Sequence, residues 1–509
     1  MGAWARRAAV AAIVLVSLCS RLPAPWRTGV INDEMHHLES WRNRYRTDDI
    51  YPLFIHRLDV TGRLQGKQLE LVKRLYASGP LAQRGLLVLV DPQPPFYPVL
   101  AEIIEAISHS SLVWLRIPSV IASLGTTLLL FFVGKAVDDI ALGLWLAALI
   151  SIGTLAQVYA GIGRPYAVAQ CAIVGCLYAF VLTRQRKPVS PGYFLLAALL
   201  AQSTQWIAWA IIGPMVLYEL AYRFRAGTSL WTLVKQFGWY GIASGLLLVE
   251  MAIQLKNPTV TAQSGIGGAS GLWKLFTDSS PFLNLDSLGS WGFHLAGILF
   301  AILVACGVAS TMRPAAGQAA FGQVRAPLVV CLVCSVAAMV FVGASVRFMM
   351  TYTVMPTIFA GIGIRRLARL PSRSDWAVAG VTAFFFILTF VCPEDPYRHI
   401  LPSDTNGDLI GKTLASKMKS GDIWTAWPYF WADCLYRSGP LPTPALPQSR
   451  EELLAVVRDR PAGSACFVLS DTADDNVLLS SHAPSADVEI TTFSQGFVLL
   501  RVPPAAAGP

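Results

Sequence analysis

Residues 112–134 read LVWLRIPSVIASLGTTLLLFFVG, an apolar run interrupted by a single charge, Arg116. About 20 such residues in a helix cross the hydrocarbon core of a bilayer, where only a helix or a closed barrel satisfies its own backbone. Similar runs recur at roughly 7–24, 139–159, 166–183, 192–207, 208–222, 236–254, 291–311, 326–344, 348–364 and 375–391. The chain therefore reads as an α-helical polytopic membrane protein of about 11 spans. The stretches 192–207 and 208–222 are nearly continuous and part only at Gln202, Ser203, Thr204 and Gln205.

Composition agrees. Of 509 residues, 54% are hydrophobic and 14% charged, with mean hydropathy +0.51. A soluble domain carries about 25% charged residues, so a soluble globular chain and a disordered one are both excluded. The net charge is 40 − 31 = +9. Its location explains it without nucleic acid. With the N-terminus in the cytoplasm, the connections on that side hold Lys135; Arg184, Arg186 and Lys187; Arg223, Arg225 and Lys235; Arg313 and Arg325; and Arg365, Arg366, Arg369 and Arg373. That is the positive-inside pattern. The first run follows Arg6 and Arg7 and lacks a clean small-x-small cleavage site before Trp26, so it reads as a retained signal anchor.

Two pieces lie on the opposite side. The first outer loop, 25–111, is far longer than an ordinary connection and carries amphipathic helical stretches. The tail, 392–509, reads as a small α/β domain: a helix over Arg450–Arg458, a buried strand over Ala465–Leu469, and a closing pair at Val488–Phe493 and Phe497–Val502. The transmembrane domain is then 1–391. The dense aromatics Trp424, Trp427, Tyr429, Phe430 and Trp431 suit membrane-interface anchoring or core better than sugar stacking. Cys331 and Cys334 sit inside a span with no companion ligands and read as small apolar residues. Cys392, Cys434 and Cys466 follow the last span, and one pair of them could be oxidised.

Ionisable groups beside a span are costly and ask for a reason. Asp33 and Glu34 follow the first span: they suit a general base and its neighbour, or a helix N-cap. Asp33 with His36 and His37 lacks the further ligand that a metal site needs, so no metal is expected. Asp91-Pro92-Gln93-Pro94-Pro95 forms a rigid turn before a helix. Arg164 opens the fourth span in Arg164-Pro165-Tyr166, either snorkelling to headgroups or offering its planar fork to a phosphate. Arg347 stands on the outer side against the charge rule, which asks for an anionic partner; Arg116 is a weaker case of the same kind. Carboxylates and arginines thus converge on the outer leaflet, where a lipid phosphate and a reacting group outside would both be served.

The order of these elements resembles the GT-C glycosyltransferases of the protein-mannosyltransferase and aminoarabinose-transferase group. It runs from Asp33-Glu34 through Gln93-Pro94-Pro95, Leu115-Arg116-Ile117-Pro118-Ser119, Arg164-Pro165-Tyr166 and Thr204-Gln205-Trp206 to Arg347-Phe348-Met349-Met350-Thr351-Tyr352. The resemblance implies a GT-C fold and transfer of a sugar from a polyprenyl-phosphate carrier to a lipid, polysaccharide or protein acceptor outside the cytoplasm. It implies no cofactor. Asp33 matches the family's essential acid, with Glu34 beside it. Arg164 and Arg347 match its carrier-phosphate arginines, and Tyr166, Arg116, Gln93 and Gln205 fall at substrate-binding positions. The sequence departs from the family at three points. Ile162 stands where relatives carry a carboxylate, and Gln93 and Gln205 stand where many carry a basic residue. The Ala- and Arg-rich usage suggests a bacterial inner membrane with a periplasmic active site. The competing reading is a lipid-carrier-binding protein or flippase that transfers no sugar; a transporter would show internal repeats and charges near the midplane.

Overall fold

A computed structural model describes residues 3–22, 94–108, 112–185, 191–255, 276–277, 290–312, 319–342, 350–368, 413–427, 450–470, 489–492 and 498–504, with single positions at 70, 74, 78, 442 and 445. The chain divides into two compact units, one holding the described helices up to residue 368 and one holding a small sheet.

The helical unit contains α1 (Ala3–Arg21), α2 (Phe96–Ser108), α3 (Leu112–Val137), α4 (Ile140–Ile152), α5 (Thr154–Ala160), α6 (Pro165–Arg184), α7 (Pro191–Thr204), α8 (Trp209–Arg225), α9 (Leu230–Leu255), α10 (Ser290–Met312), α11 (Ala319–Val342) and α12 (Val354–Ala368). This is a multi-pass membrane protein. Among the described residues, Val113–Val137, Pro165–Arg184, Trp206–Arg225 and His294–Met312 are long and apolar enough to cross a bilayer. Every apolar run read from the sequence falls mainly on helix, except 375–391, which lies outside the described residues. The run 139–159 is not one helix: it breaks at Gly153 into α4 and α5. The parting of 192–207 from 208–222 falls at Gln205, followed by a 3₁₀ turn, Trp206–Ala208.

Local chemistry sets the ends. Asp139 caps α4 by accepting from the Leu142 amide at 2.9 Å. Pro165 occupies the first position of α6, where a missing amide hydrogen costs nothing. Between α10 and α12, a Cβ on Gly307 would run into the Phe359 carbonyl, and one on Gly363 into the Leu303 carbonyl. Glycine lets the two backbones meet there, which is how helices associate in lipid without a hydrophobic drive.

The second unit is a four-stranded sheet in the order β1-β2-β4-β3, with β1 (Ile423–Trp427), β2 (Cys466–Ser470), β3 (Glu489–Thr492) and β4 (Val498–Val502). β1 and β2 are parallel and the other pairs antiparallel. Helix α13 (Arg450–Arg458) lies between β1 and β2 in the chain, the crossover that a parallel pair requires. Its Leu453 and Val457 pack with Cys466, Val468, Val498, Leu500 and Val502. Of the aromatic stretch, read as interface anchor or core, Trp424 and Trp427 lie on a strand, and Trp424 belongs to the core: it is buried and donates from Nε1 to the Pro442 carbonyl at 2.7 Å.

Cys466 is a free thiol inside this core; Cys392 and Cys434 lie outside the described residues. Burial pushes the Cys466 thiol up to about 12. Only the thiolate is nucleophilic. Cys466 is therefore expected to resist iodoacetamide at neutral pH in the folded protein and to react once the unit is unfolded. Peptide mass spectrometry with and without denaturant checks this, and full labelling of the native protein would contradict it.

Candidate functional site

The site is built at the ends of α3, α6 and α7 and on the segment leading into α12. Gly161 N bonds to Val158 O at 3.0 Å and Arg164 N to Ile162 O at 2.8 Å, so the chain turns tightly after α5. Arg164 is then extended (φ −139°, ψ 162°), as a residue before proline prefers, and forms the N-cap of α6. It is only 6% exposed. Its carbonyl accepts a hydrogen bond from Ser119 Oγ at 3.2 Å. Ser119 lies one helical turn from Arg116 on the same face of α3, and Arg116 is fully buried. The two arginines predicted for this end therefore flank a single inter-helix contact.

Tyr166 is buried and meets Tyr159 edge to face, with ring centroids 5.1 Å apart. One turn further along α6, the buried Gln170 donates from Nε2 to Met350 O at 2.8 Å and to Thr353 Oγ1 at 3.1 Å. The next residue in that segment, Thr351, donates to Gln205 Oε1. A continuous polar seam thus runs from α6 through 350–353 to the α7–α8 break, inside an otherwise apolar bundle. Gln205 Nε2 and Gln170 Oε1 are buried with no hydrogen-bond partner among the described residues. The first is an amide nitrogen with two N–H donors and the second an amide oxygen with two lone pairs, and a buried polar atom left unpaired costs about 1–3 kcal/mol.

Of the residues singled out from sequence, Arg116, Arg164, Tyr166 and Gln205 occupy this end. Asp33, Glu34, Gln93 and Arg347 lie outside the described residues, although Arg347 is three positions before Met350 in the chain. Ser119, Gln170 and Thr351 were not singled out as site residues. Their signal was available: each is a polar side chain within an apolar helix or at its mouth. Among the described residues, no group of three or more His, Cys, Asp or Glu side chains could hold a metal ion.

The far end of α6 differs. Arg184, Arg223 and Arg365, read from sequence as loop charges, lie in the last turns of α6, α8 and α12. Arg184 and Arg223 share the buried Glu219, and Arg365 pairs with Asp138 and Asp139.

No family model matches the chain, and no curated protein matches it in sequence. Solved structures do share its fold. ArnT from Cupriavidus metallidurans, bound to undecaprenyl phosphate, aligns at a TM-score of 0.53 and 13% identity over 98% of both chains, and its apo form aligns equally well. The Archaeoglobus fulgidus oligosaccharyltransferase, tethered by a disulfide to an acceptor peptide containing the NVT sequon, aligns at a TM-score of 0.50 and 12% identity. That match covers 94% of this chain and 70% of the other. Both are GT-C glycosyltransferases, and the present chain has the GT-C fold.

Proposed function

We propose that this protein is a membrane glycosyltransferase that moves a sugar from a polyprenyl-phosphate carrier to a lipid, polysaccharide or protein acceptor on the outer face of the membrane. The observation that carries this reading is the buried Arg164 at the start of α6, tied through Ser119 to the helix that carries the buried Arg116, together with the polar seam of Gln170, Thr351 and Gln205. It is supported by a fold shared end to end with a protein bound to undecaprenyl phosphate.

In this reading the acceptor hydroxyl oxygen attacks the anomeric carbon while the bond from that carbon to the phosphate oxygen breaks. Asp33 takes the hydroxyl proton, and the electron pair leaves with the polyprenyl phosphate. Arg164 and Arg347 stabilise the charge that develops there, and Arg116 adds to the local positive potential. Tyr166, Gln93 and Gln205 line the donor, and Glu34 holds the first outer loop. If donor and acceptor approach from different sides of the cavity, the anomeric centre inverts. The basic connections support an N-terminus in the cytoplasm, and the reading takes the membrane as a bacterial inner membrane, with the 392–509 domain and the active site on the periplasmic side. The second reading, a carrier-binding protein that transfers no sugar, draws on Ile162, Gln93 and Gln205, which replace charged groups of the related enzymes with neutral ones.

Mass spectrometry of envelope glycans and glycolipids separates the two. In a deletion strain one sugar mass disappears; wild type restores it, and Asp33→Asn at equal protein level does not. Full restoration by Asp33→Asn would remove Asp33 from the chemistry. No change on deletion, once redundancy is excluded, would favour the binding protein.

A further inference from the structure

We infer that Arg21 is a positioning residue: it clamps the α4–α5 break and, through it, fixes Arg164 and Tyr166 at the mouth of α6. The link to the carrier phosphate rests on the transferase reading above; the clamp itself does not.

An arginine at the end of an apolar helix would ordinarily reach for water. Arg21 instead is fully buried. Its fork is spread over several elements. Nε donates to Ser123 Oγ of α3 at 2.7 Å, and Nη2 donates to Ile150 O of α4 at 2.8 Å. Nη1 lies 3.4 Å from both Ser151 O and Ser17 O. Ile150 and Ser151 belong to the last turn of α4, where carbonyls run out of intrahelical amides because Gly153 is extended (φ −62°, ψ 117°). A cation at that place satisfies the carbonyls and opposes the negative end of the helix dipole. Neighbouring groups complete the knot. Gln157 Nε2 donates to Ser151 O at 3.0 Å, the Ser17 and Ser151 hydroxyls bond to each other, and Ser123 Oγ reaches Ala156 O at 3.2 Å.

The knot is coupled to the site by short covalent and packed links. α5 begins at the break, and its Tyr159 meets Tyr166 edge to face. The turn that follows delivers Arg164. On the other side, α3 holds the start of α5 through Ser123 and the carbonyl of Arg164 through Ser119, one turn away on the same face. Arg21 therefore fixes one end of a short rigid strut, and Arg164 stands at the other. Lysine would keep the charge at position 21 but lose the fork that bridges α3 and α4 at once.

The test uses the full chain in nanodiscs, with undecaprenyl phosphate as the probe and with Arg21→Lys, Ser123→Ala, Arg164→Ala and the doubles Arg21→Lys/Arg164→Ala and Ser123→Ala/Arg164→Ala. Two measurements are made: amide hydrogen exchange over 154–166, and undecaprenyl phosphate affinity by native mass spectrometry. Arg21→Lys is expected to speed exchange over 154–166 while leaving α10 and α12 unchanged, and to weaken binding about tenfold. In the doubles the losses should not add, because Arg21 and Ser123 act through Arg164. Unchanged exchange over 154–166 overturns the clamp. Fully additive losses overturn the coupling, since a merely structural residue would give them. If Arg21→Lys does not fold, Ser123→Ala, which removes one member of the same knot, decides by the same criteria. If Arg164→Ala binds the probe as the wild type does, the carrier site fails, and exchange alone decides the clamp.

Discussion

Arg164→Ala is expected to lower sugar transfer by about 10²–10³-fold, the usual cost of removing one preorganised group from a developing charge. In the proposed transfer the polyprenyl phosphate gains charge as its bond to the sugar breaks, so a guanidinium facing it would be worth more in the transition state than in the ground state. The fall should therefore appear chiefly in kcat. Arg164→Lys should recover only part of it, because an ammonium replaces charge but not the bidentate fork. The fold should survive both changes. The contact to Ser119 is made by the Arg164 carbonyl, and α6 starts on Pro165, so neither depends on the side chain. Single-turnover kinetics with the sugar-lipid identified from the envelope comparison, read beside the thermal midpoint, checks this. Full turnover in Arg164→Ala would place the leaving-group cation elsewhere.

The elements were legible in the sequence because hydrophobic runs of span length have few other uses. Pro165 announced the start of α6, and the polar group 202–205 announced a break. The helix and the last three strands of the tail showed their periods directly. The break at Gly153 did not show. A glycine in an apolar run is common in membrane helices, and the groups that hold this one open, Ser17, Arg21 and Ser123, come from distant segments. β1 was read as an aromatic cluster because tryptophan serves strands and interface belts alike. Of the candidate site, sequence supplied residue types and set Arg116, Arg164 and Tyr166 at one end of the bundle. It did not supply partners. Gln170 bonds to Met350 across 180 residues and Thr351 to Gln205 across 146, and no local pattern encodes such a pairing. Periodicity also cannot tell a lipid-facing leucine from a buried one, since both are apolar.

At the opposite end of α6 a second large effect is expected, on stability. Glu219→Leu should destabilise the protein by about 3–5 kcal/mol, the cost of breaking a buried ion pair by removing one partner. The side chains of Glu219 and Arg184 are 2% and 6% exposed, and their atoms approach to 3.4 Å. Without the carboxylate, the Arg184 guanidinium is held against the Tyr222 ring, 3.3 Å from its centroid, with its charge uncompensated. That cation–π contact offsets only a part, about 2 kcal/mol at best. Arg223 contributes less. Although it reaches Glu219 at 2.7 Å, its side chain is 22% exposed and can turn to water, so this i,i+4 pair is worth a few tenths of a kcal/mol, about what exposed helix pairs give. The double variant Arg184→Met/Glu219→Leu should recover most of the loss, because replacing both charges by apolar groups removes the penalty along with the attraction. Transfer per folded molecule should stay unchanged in both variants, since α6 separates this pair from Arg164 by about 30 Å. Thermal midpoints of the singles and the double, measured in the same detergent, decide the matter: a double no more stable than Glu219→Leu would mean that Arg184 bears none of the cost.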